Sequence, residues 1–319
     1  MINILANDGI DKVGQIALEE AGFNVDTNNI PQNELTEKLA NYEVLLVRSA
    51  TKVRKDLIDA HPHLKMIGRG GVGMDNIDVD YARSKGIAVV NTPAASSLSV
   101  AELVFSHLFG GCRFLHESNR EMPDNGSTEF KVLKKRFSKG QELRGKTMGI
   151  IGFGRIGQAT GKIALGLGMK LIAHDPFMSE CQLSLDIDGL DEPVSVPVQM
   201  ASKEDVLKVC DVLSMHVPFK AGDTPVIGEA EFALMKDGVS IINCARGGCI
   251  DEKALVSNLE NGKVHFAGVD VFENEPTPQE VILKAKNISL TPHIGASTVE
   301  AQKRIGLELA DQIIQFFKK

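Results

Sequence analysis

Long apolar segments are missing from this 319-residue chain, although 43% of its residues are apolar and can build a sizeable core. No run approaches the ~20 apolar residues that cross a bilayer as a helix. The N-terminus also lacks a charged segment followed by a long apolar one, so we expect no signal peptide. We therefore predict a cytoplasmic protein that has no membrane partner.

Excess positive charge is also missing. The chain has 35 Lys and Arg against 42 Asp and Glu, and its formal net charge is −7. Proteins that bind nucleic acids neutralise phosphates with Lys and Arg, and this balance provides no such surplus. We predict that nucleic acid is not a partner.

The few cysteines form no metal-binding or disulfide pattern. They are Cys112, Cys181, Cys210, Cys244 and Cys249. None stands in a C-x-x-C pair, and no two histidines stand at the spacing of metal ligands. We expect reduced thiols and no metal site, which disfavours a metal-dependent hydrolase.

The strongest motif is a glycine-rich turn after a short apolar run, Thr147–Ile151. Its G-x-G-x-x-G spacing provides a tight turn, close backbone approach to a pyrophosphate, and close packing of helix on sheet. A helix that starts there offers unpaired N–H groups and partial positive charge to phosphates. We favour a dinucleotide site over a structural turn. Its predicted cofactor residues are Gly152, Gly154, Arg155, Ile156 and Gly157.

An acidic residue follows the next predicted strand, Met169–His174. Asp175 lies near the ~20-residue distance at which a carboxylate accepts a hydrogen bond from the adenosine ribose. A carboxylate there repels a 2′-phosphate, and no Arg or Lys follows at once. We therefore predict that the cofactor is NAD and not NADP.

Strands alternate with helices along the chain, which predicts an α/β fold with parallel sheets and right-handed crossovers. In the first third the predicted strands are Ile2–Leu5, Val44–Val47, Lys65–Ile67 and Ile87–Val90. Further strands are predicted after the glycine motif at Val194–Val198, Val212–His216, Val239–Asn243, Val264–Val269 and Asn287–Leu290. We expect Val100–Leu108 to be an apolar helix between two lobes and Met178–Pro193 to be an acidic surface loop. The last helix, Val299–Phe317, could pack back onto the first lobe.

Two polar stretches follow strands in the first third. The glycines of Arg69–Asn76 can present backbone N–H groups to an anion, or can simply form a flexible turn. Arg48 ends another strand, and Ser49 follows it. Strand ends face the ligand crevice of an open α/β sheet, where an Arg suits a phosphate or carboxylate. A solvated surface arginine is the alternative.

Three further polar sites follow three strands of the second lobe. Arg246 can clamp a carboxylate with two hydrogen bonds, acidic residues occupy Asp270–Glu275, and His293 follows the next strand. Because parallel strands end at one edge, these residues can converge on the nicotinamide. A histidine can pass a proton to the substrate oxygen as hydride reaches carbon, and a carboxylate fixes its tautomer. Each residue taken alone is more often structural.

Motifs in this order resemble the D-isomer-specific 2-hydroxyacid dehydrogenases over nearly the whole chain. The motifs include Gly71–Asp75, Ser99–Leu103, Leu143–Lys146, Asn243–Gly248, Asp270–Pro276 and Thr291–Thr298, together with the glycine turn. The resemblance implies that Arg246 binds the substrate carboxylate and carbonyl, His293 is the acid/base, and Glu275 is its partner. It also implies a Rossmann NAD-binding domain, 98–291, inserted into a flavodoxin-like substrate domain, 1–97 plus 292–319; both are doubly wound.

The resemblance assigns the remaining site residues. Besides the glycine turn and Asp175, it implies cofactor contacts from Val100, His216, Val217, Pro218, Cys244, Ala245, Asp270 and Gly295. It implies substrate contacts from Arg48, Ser49, Gly71, Val72 and Gly73. The apolar stretch Ser99–Leu115, predicted to be helical, suggests a homodimer, and the resemblance makes the basic run Lys134–Arg136 a candidate arm across its interface.

Within the family, the run Leu46–Thr51 and the form of Thr291–Thr298 are most similar to members that oxidise D-3-phosphoglycerate in serine synthesis. The expected substrate is therefore a phosphorylated 2-hydroxy or 2-keto acid, and Arg48 would hold its phosphate. We expect no serine feedback, because the chain lacks the regulatory domain of longer members. The alternatives are a glyoxylate or hydroxypyruvate reductase, an erythronate-4-phosphate dehydrogenase, and a non-catalytic NAD-sensing protein.

Overall fold

A computed structural model describes residues 1–220 and 222–318. The chain forms two compact units. Unit 1 contains Met1–Ser99 and the chain from Ala296 onward, and unit 2 is Val100–Gly295. The domain ranges predicted from the resemblance end two and four residues before these breaks, at 97 and 291.

Unit 1 contains a parallel sheet of five strands in the order β2-β1-β3-β4-β5. The strands are β1 (Asn3–Ala6), β2 (Asn24–Asp26), β3 (Val44–Val47), β4 (Met66–Arg69) and β5 (Ala88–Asn91). This is the flavodoxin-like order, in which neighbouring strands diverge at β1 and β3. The flavodoxin-like fold is thus confirmed. The sequence prediction missed only the short, half-exposed β2.

The helices of unit 1 cover both faces of this sheet. They are α1 (Lys12–Glu20), α2 (Leu35–Lys38) with a 3-10 turn (Leu39–Asn41), α3 (Lys55–Ala60), α4 (Val79–Ser84) and α13 (Val299–Phe317). The side chain of Thr298 caps α13 by accepting a hydrogen bond from the N–H of Ala301 at 3.1 Å. Ala310 and Ile313 of α13 pack into one core cluster with Leu18 of α1. The last helix therefore returns to the first lobe, as predicted.

Unit 2 contains a parallel sheet of six strands in the order β13-β12-β11-β10-β6-β7. These strands are β6 (Thr147–Ile151), β7 (Lys170–His174), β10 (Val212–Met215), β11 (Val239–Asn243), β12 (Val264–Val269) and β13 (Ile288–Leu290). Chain order reverses at β6, because β7 lies on one side of it and β10 on the other. Ligands of open α/β sheets bind at such a switch point, beyond the carboxyl ends of the strands.

Within the described part of unit 2 and its preceding segment, eight helices accompany this sheet. They are α5 (Ser97–Cys112), α6 (Leu115–Asn125), α7 (Phe130–Arg136), α8 (Arg155–Gly166), α9 (Lys203–Val209), α10 (Glu229–Leu234), α11 (Glu252–Glu260) and α12 (Glu280–Leu283). Helix α5 starts just before the break between the units and contains the predicted apolar helix. Across 1–220 and 222–318, no single helix could span a membrane; α5 and α6, bent by 54°, meet the length and composition criteria only as a pair.

The prediction of a surface loop over Met178–Pro193 is wrong in part. Strand β8 (Glu180–Leu185) lies within it and pairs antiparallel with β9 (Val194–Gln199). Leu183 and Val198 are buried, while the acidic residues occupy the turn between the strands. The predicted strand Val194–Val198 exists, but it belongs to this hairpin and not to the parallel sheet. Only Met200, just after β9, bridges to Ala173 of β7.

Candidate active site

The glycine turn joins β6 to α8 with the geometry that the motif requires. Gly152 has a φ of +90°, and a Cβ there would lie 2.5 Å from the carbonyl oxygen of His216. A Cβ on Gly157 would lie 2.2 Å from the carbonyl oxygen of Gly152. Around Gly154 the space is open, and no side chain caps the N-terminus of α8. This end of the twelve-residue helix can therefore receive a pyrophosphate.

Asp175, directly after β7, holds the glycine turn. Its Oδ2 accepts a hydrogen bond from the N–H of Phe153 at 2.8 Å, and its Oδ1 accepts one from Phe177 at 2.9 Å. Each oxygen retains a lone pair for a ribose hydroxyl. With the open helix end, these features fit NAD. The side chain of Phe177 is 94% exposed beside this carboxylate, a feature that sequence alone does not reveal.

Other predicted cofactor residues line the same edge of the sheet or lie under it. His216 directs its Nε2 toward hydroxyls of Ser214 and Thr160, at 2.9 and 3.2 Å. Burial lowers the pKa of His216 to about 3, so the ring is neutral and its backbone is the part beside Gly152. The half-buried Val217 and the exposed Pro218 follow. Cys244, Ala245 and Val100 are buried, and burial raises the pKa of the Cys244 thiol well above its usual range.

The predicted acid/base pair forms at the ends of β12 and β13. Nδ1 of His293 lies 2.7 Å from Oε2 of Glu275. Burial acts to raise the pKa of the Glu275 carboxyl. Hydrogen bonds from His293 and from the N–H of Phe272 lower this pKa, and so do the charges of His293 and Arg246. The net shift of the pKa is downward. Glu275 is therefore an anion at neutral pH. Both side chains remain partly exposed, which leaves the imidazole accessible to a substrate.

Arg246 follows β11, the strand next to β12 in the sheet. Asn243 shapes its turn, because its amide donates to the carbonyl oxygen of Arg246 at 2.9 Å and accepts from the N–H of Ala245 at 3.1 Å. Arg246 is half-buried, and its charge acts on Glu275. Three neighbouring strands thus bring a cation, a carboxylate and an imidazole to one edge. That set can bind a carboxylate and move a proton.

Asp270 has a structural connection that the sequence analysis missed. It is 1% exposed, and its carboxylate accepts hydrogen bonds from the hydroxyl of Thr291 and from the N–H groups of Ile294 and Gly295, at 2.6, 2.8 and 2.9 Å. A Cβ on Gly295 would also lie 3.3 Å from Val100. Asp270 therefore holds the loop that carries His293. Its predicted contact with the cofactor stays a prediction.

The predicted substrate residues lie in unit 1. Arg48 directly follows β3, is half-buried, and lines a cavity of about 280 Å³ together with Asp8, Asp11 and Gln302. Its N–H donates to Asp8 at 2.7 Å, while Ser49 is exposed. The Gly71–Gly73 loop is anchored through its carbonyls, to which Thr92 N and Asn91 Nδ2 donate at 3.0 and 2.6 Å.

Across 1–220 and 222–318, no three His, Cys, Asp or Glu residues are placed to hold a metal.

Comparisons with known proteins show which family and which chains this protein is similar to. Residues 105–295 match the family described as D-isomer specific 2-hydroxyacid dehydrogenase, NAD binding domain. A hydroxypyruvate reductase of Thermotoga maritima is 43% identical, over 97% of this chain and 96% of its own. A D-3-phosphoglycerate dehydrogenase of Methanocaldococcus jannaschii is 42% identical over 98% of this chain, which spans only 57% of that protein. A glyoxylate reductase structure from Paecilomyes thermophila is 30% identical, covers 100% of this chain and 96% of its own, and has a TM-score of 0.83.

Proposed function

The chain belongs to the D-isomer-specific 2-hydroxyacid dehydrogenases, and we propose that it oxidises D-3-phosphoglycerate to 3-phosphohydroxypyruvate with NAD. The family assignment covers the oxidoreductase chemistry and the cofactor. The observation that supports catalysis is the His293–Glu275 pair beside the charge of Arg246. A non-catalytic NAD-sensing protein would not need this set of three, so we favour an enzyme.

In this proposal, NAD supplies the hydride acceptor when it is bound. The Nδ1–H of His293 donates to Glu275, so Nε2 is the atom that takes the proton of the substrate hydroxyl. Glu275 stabilises the imidazolium that forms and keeps the ring in one orientation. Arg246 binds the substrate carboxylate through two parallel hydrogen bonds. In the reverse direction His293 returns the proton to the carbonyl oxygen.

Arg48 supports the choice of a phosphorylated substrate. It stands at the carboxyl end of a parallel strand, where such sheets bind ligands, and the sequence around it is similar to phosphoglycerate oxidisers. An arginine there can bind a phosphate with two hydrogen bonds.

A second candidate is reduction of unphosphorylated hydroxypyruvate or glyoxylate. Two acidic residues, Asp8 and Asp11, line the same cavity as Arg48 and oppose the entry of a phosphate. The hydroxypyruvate reductase of T. maritima also matches this chain along nearly its whole length. Arg246, Glu275 and His293 would serve this reaction equally well.

The test is NADH oxidation by the purified chain with 3-phosphohydroxypyruvate, hydroxypyruvate and glyoxylate in parallel. We expect the highest kcat/KM with the phosphorylated keto acid. A preference for either unphosphorylated acid would establish the second candidate and return Arg48 to a structural role. Activity with none of the three would contradict both.

The exposed apolar side chains on α5, α6 and α7 support a homodimer. They include Phe109, Leu115, Met122, Phe130 and Val132. Exposed apolar side chains on successive helices can form the patch that a protein interface buries. We propose that these helices meet a second copy, and sedimentation of Leu115→Glu should show monomers where the native chain sediments as a dimer.

The free thiols fit the cytoplasmic location that the sequence predicted.

A further inference from the structure

A buried histidine in the middle of α5 has no part in the reaction described so far. His107 is 3% exposed, and both of its ring nitrogens are hydrogen bonded. Nδ1 lies 2.9 Å from the hydroxyl of Ser289, and Nε2 lies 3.0 Å from the hydroxyl of Thr291. Both partners lie on or just after β13, more than 180 residues away along the chain. His107 therefore joins α5 to the segment that leads to His293.

The neighbouring strand makes room for this histidine. Gly268 lies in β12, and a Cβ there would lie 2.6 Å from Cβ of His107 and 2.9 Å from its Cγ. No real Cβ tolerates such a contact, so a larger residue on β12 would push His107 away from β13. The close approach of α5 to β12 therefore depends on Gly268 in the strand as well as on His107 in the helix.

The directions of the hydrogen bonds follow from Asp270. The Asp270 carboxylate can only accept, so the hydroxyl of Thr291 donates to it. Thr291 must then accept from Nε2–H of His107, which leaves Nδ1 to accept from Ser289. Burial lowers the pKa of His107. The charge of His116 also lowers it, while the charge of Asp270 acts in the opposite direction. The net downward shift agrees with a neutral ring. The resulting chain of donors runs Ser289 to His107 to Thr291 to Asp270.

This chain of hydrogen bonds ends on the catalytic loop. Asp270 accepts from the N–H groups of Ile294 and Gly295, and its carbonyl oxygen accepts from the N–H of His293 at 2.8 Å. His293 itself has a φ of +55°. A non-glycine residue in this left-handed region costs on the order of 1 kcal/mol or more and persists only where its surroundings fix it. The hydrogen bonds around Asp270 are what fix it.

We propose that His107 is a positioning residue for His293, which it acts on through Thr291 and Asp270. By donating to Thr291, it orients the Thr291 hydroxyl toward Asp270, and Asp270 then holds residues 293–295 so that the imidazole meets Glu275. The inference rests on the acid/base role proposed for His293. It adds a residue from the helix that the sequence predicted only as an apolar connection between the lobes.

The test compares His107→Leu and Thr291→Val with Val104→Ala, a buried control on the same helix. We expect kcat to fall by about 10- to 100-fold in the first two, because small displacements of reacting groups are costly. KM for NADH should stay within about twofold, since the glycine turn is not touched. The double variant should fall no further than the worse single one, as expected for residues in one network. His107→Gln, whose amide can donate to Thr291, should recover most of the activity.

A second readout does not depend on activity. The Nδ1 proton of His293, hydrogen bonded to Glu275, should give a downfield ¹H NMR signal that is absent from Glu275→Gln. We expect His107→Leu to lose this signal and Val104→Ala to keep it. Retention of the signal in His107→Leu, or a fall in kcat equal to that of Val104→Ala, would overturn the positioning role. A native chain that reduces no keto acid but shows the expected signals would contradict only the proposed function.

Discussion

Nδ1 of His293 lies 2.7 Å from Oε2 of Glu275, and His293 holds this position with a left-handed backbone. The pair joins the ends of two neighbouring strands, β12 and β13. Its geometry leaves one ring nitrogen for the carboxylate and the other for a substrate.

Glu275→Gln should lower the upper pH limit of keto-acid reduction. The pKa of Glu275 is held below its ordinary value, so the native residue is an anion across the neutral range. Glutamine keeps the shape but removes the charge that stabilises a protonated His293. The pH profile of kcat/KM measures the change. Glu280→Gln, an exposed carboxyl on α12, is the control, and an unmoved alkaline limb in Glu275→Gln would count against the pairing.

Asp175→Asn should weaken the preference for NADH over NADPH. The amide oxygen can still accept from the backbone of Phe153 or Phe177, but the charge that repels a 2′-phosphate is gone. We expect the ratio of kcat/KM values to fall by about tenfold, equivalent to about 1.4 kcal/mol. Asp186→Asn, in the exposed turn after β8, should leave the ratio unchanged. An unaltered ratio in Asp175→Asn would show that another residue selects the cofactor.

Arg48→Ala should raise KM for 3-phosphohydroxypyruvate by about tenfold or more, because charge-assisted hydrogen bonds to phosphate are strong. KM for glyoxylate should change little, since that acid has no phosphate to bind. Arg54→Ala is the matched control, an arginine of the same unit that pairs with Asp78 on the surface at 2.9 Å. Equal changes for both keto acids would remove Arg48 from the phosphate site.

Glu252→Gln should stabilise the chain at alkaline pH. Burial, together with the charges of Glu273, Asp251 and Glu275, raises the pKa of Glu252 to about 7, although the N–H of Glu273 donates to it. A raised carboxyl pKa gives stability that is fully present below about 4.5, the ordinary pKa of a glutamate, and is lost as pH rises through about 7.

Urea unfolding at pH 5 and pH 8 measures this effect. The native chain should lose up to about 3 kcal/mol of unfolding free energy between the two, and Glu252→Gln should lose much less. Glu260→Gln, exposed at the other end of α11, should behave like the native chain. Equal losses in all three chains would show that Glu252 ionises without cost in the folded state.

Local patterns predicted much of the fold and of the site. The glycine spacing after Thr147–Ile151 depends on contacts within a few residues, so it could be read directly. The rule that parallel strands end at one edge predicted that Arg246, the acidic stretch Asp270–Glu275 and His293 converge. It did not indicate which carboxylate meets His293, and Glu275 was implied by the family resemblance.

Other features depend on contacts between distant parts of the chain. The alternating burial of β8 was obscured by the acidic turn that follows it, so a strand was interpreted as loop. The link from His107 to Asp270 joins α5 to β12 and β13, and no spacing in the sequence indicates it. The exposure of Phe177 likewise depends on how the rest of unit 2 packs around it, which its neighbours in the sequence do not indicate.

The most direct test of the central claim is the turnover of His293→Ala with NADH and the preferred keto acid. We predict a fall in kcat of about 10²- to 10⁴-fold, the usual contribution of a general acid, with NADH binding by fluorescence almost unchanged. His63→Ala, an exposed histidine of unit 1, should keep native turnover. Native turnover in His293→Ala would contradict the acid/base role and with it the mechanism.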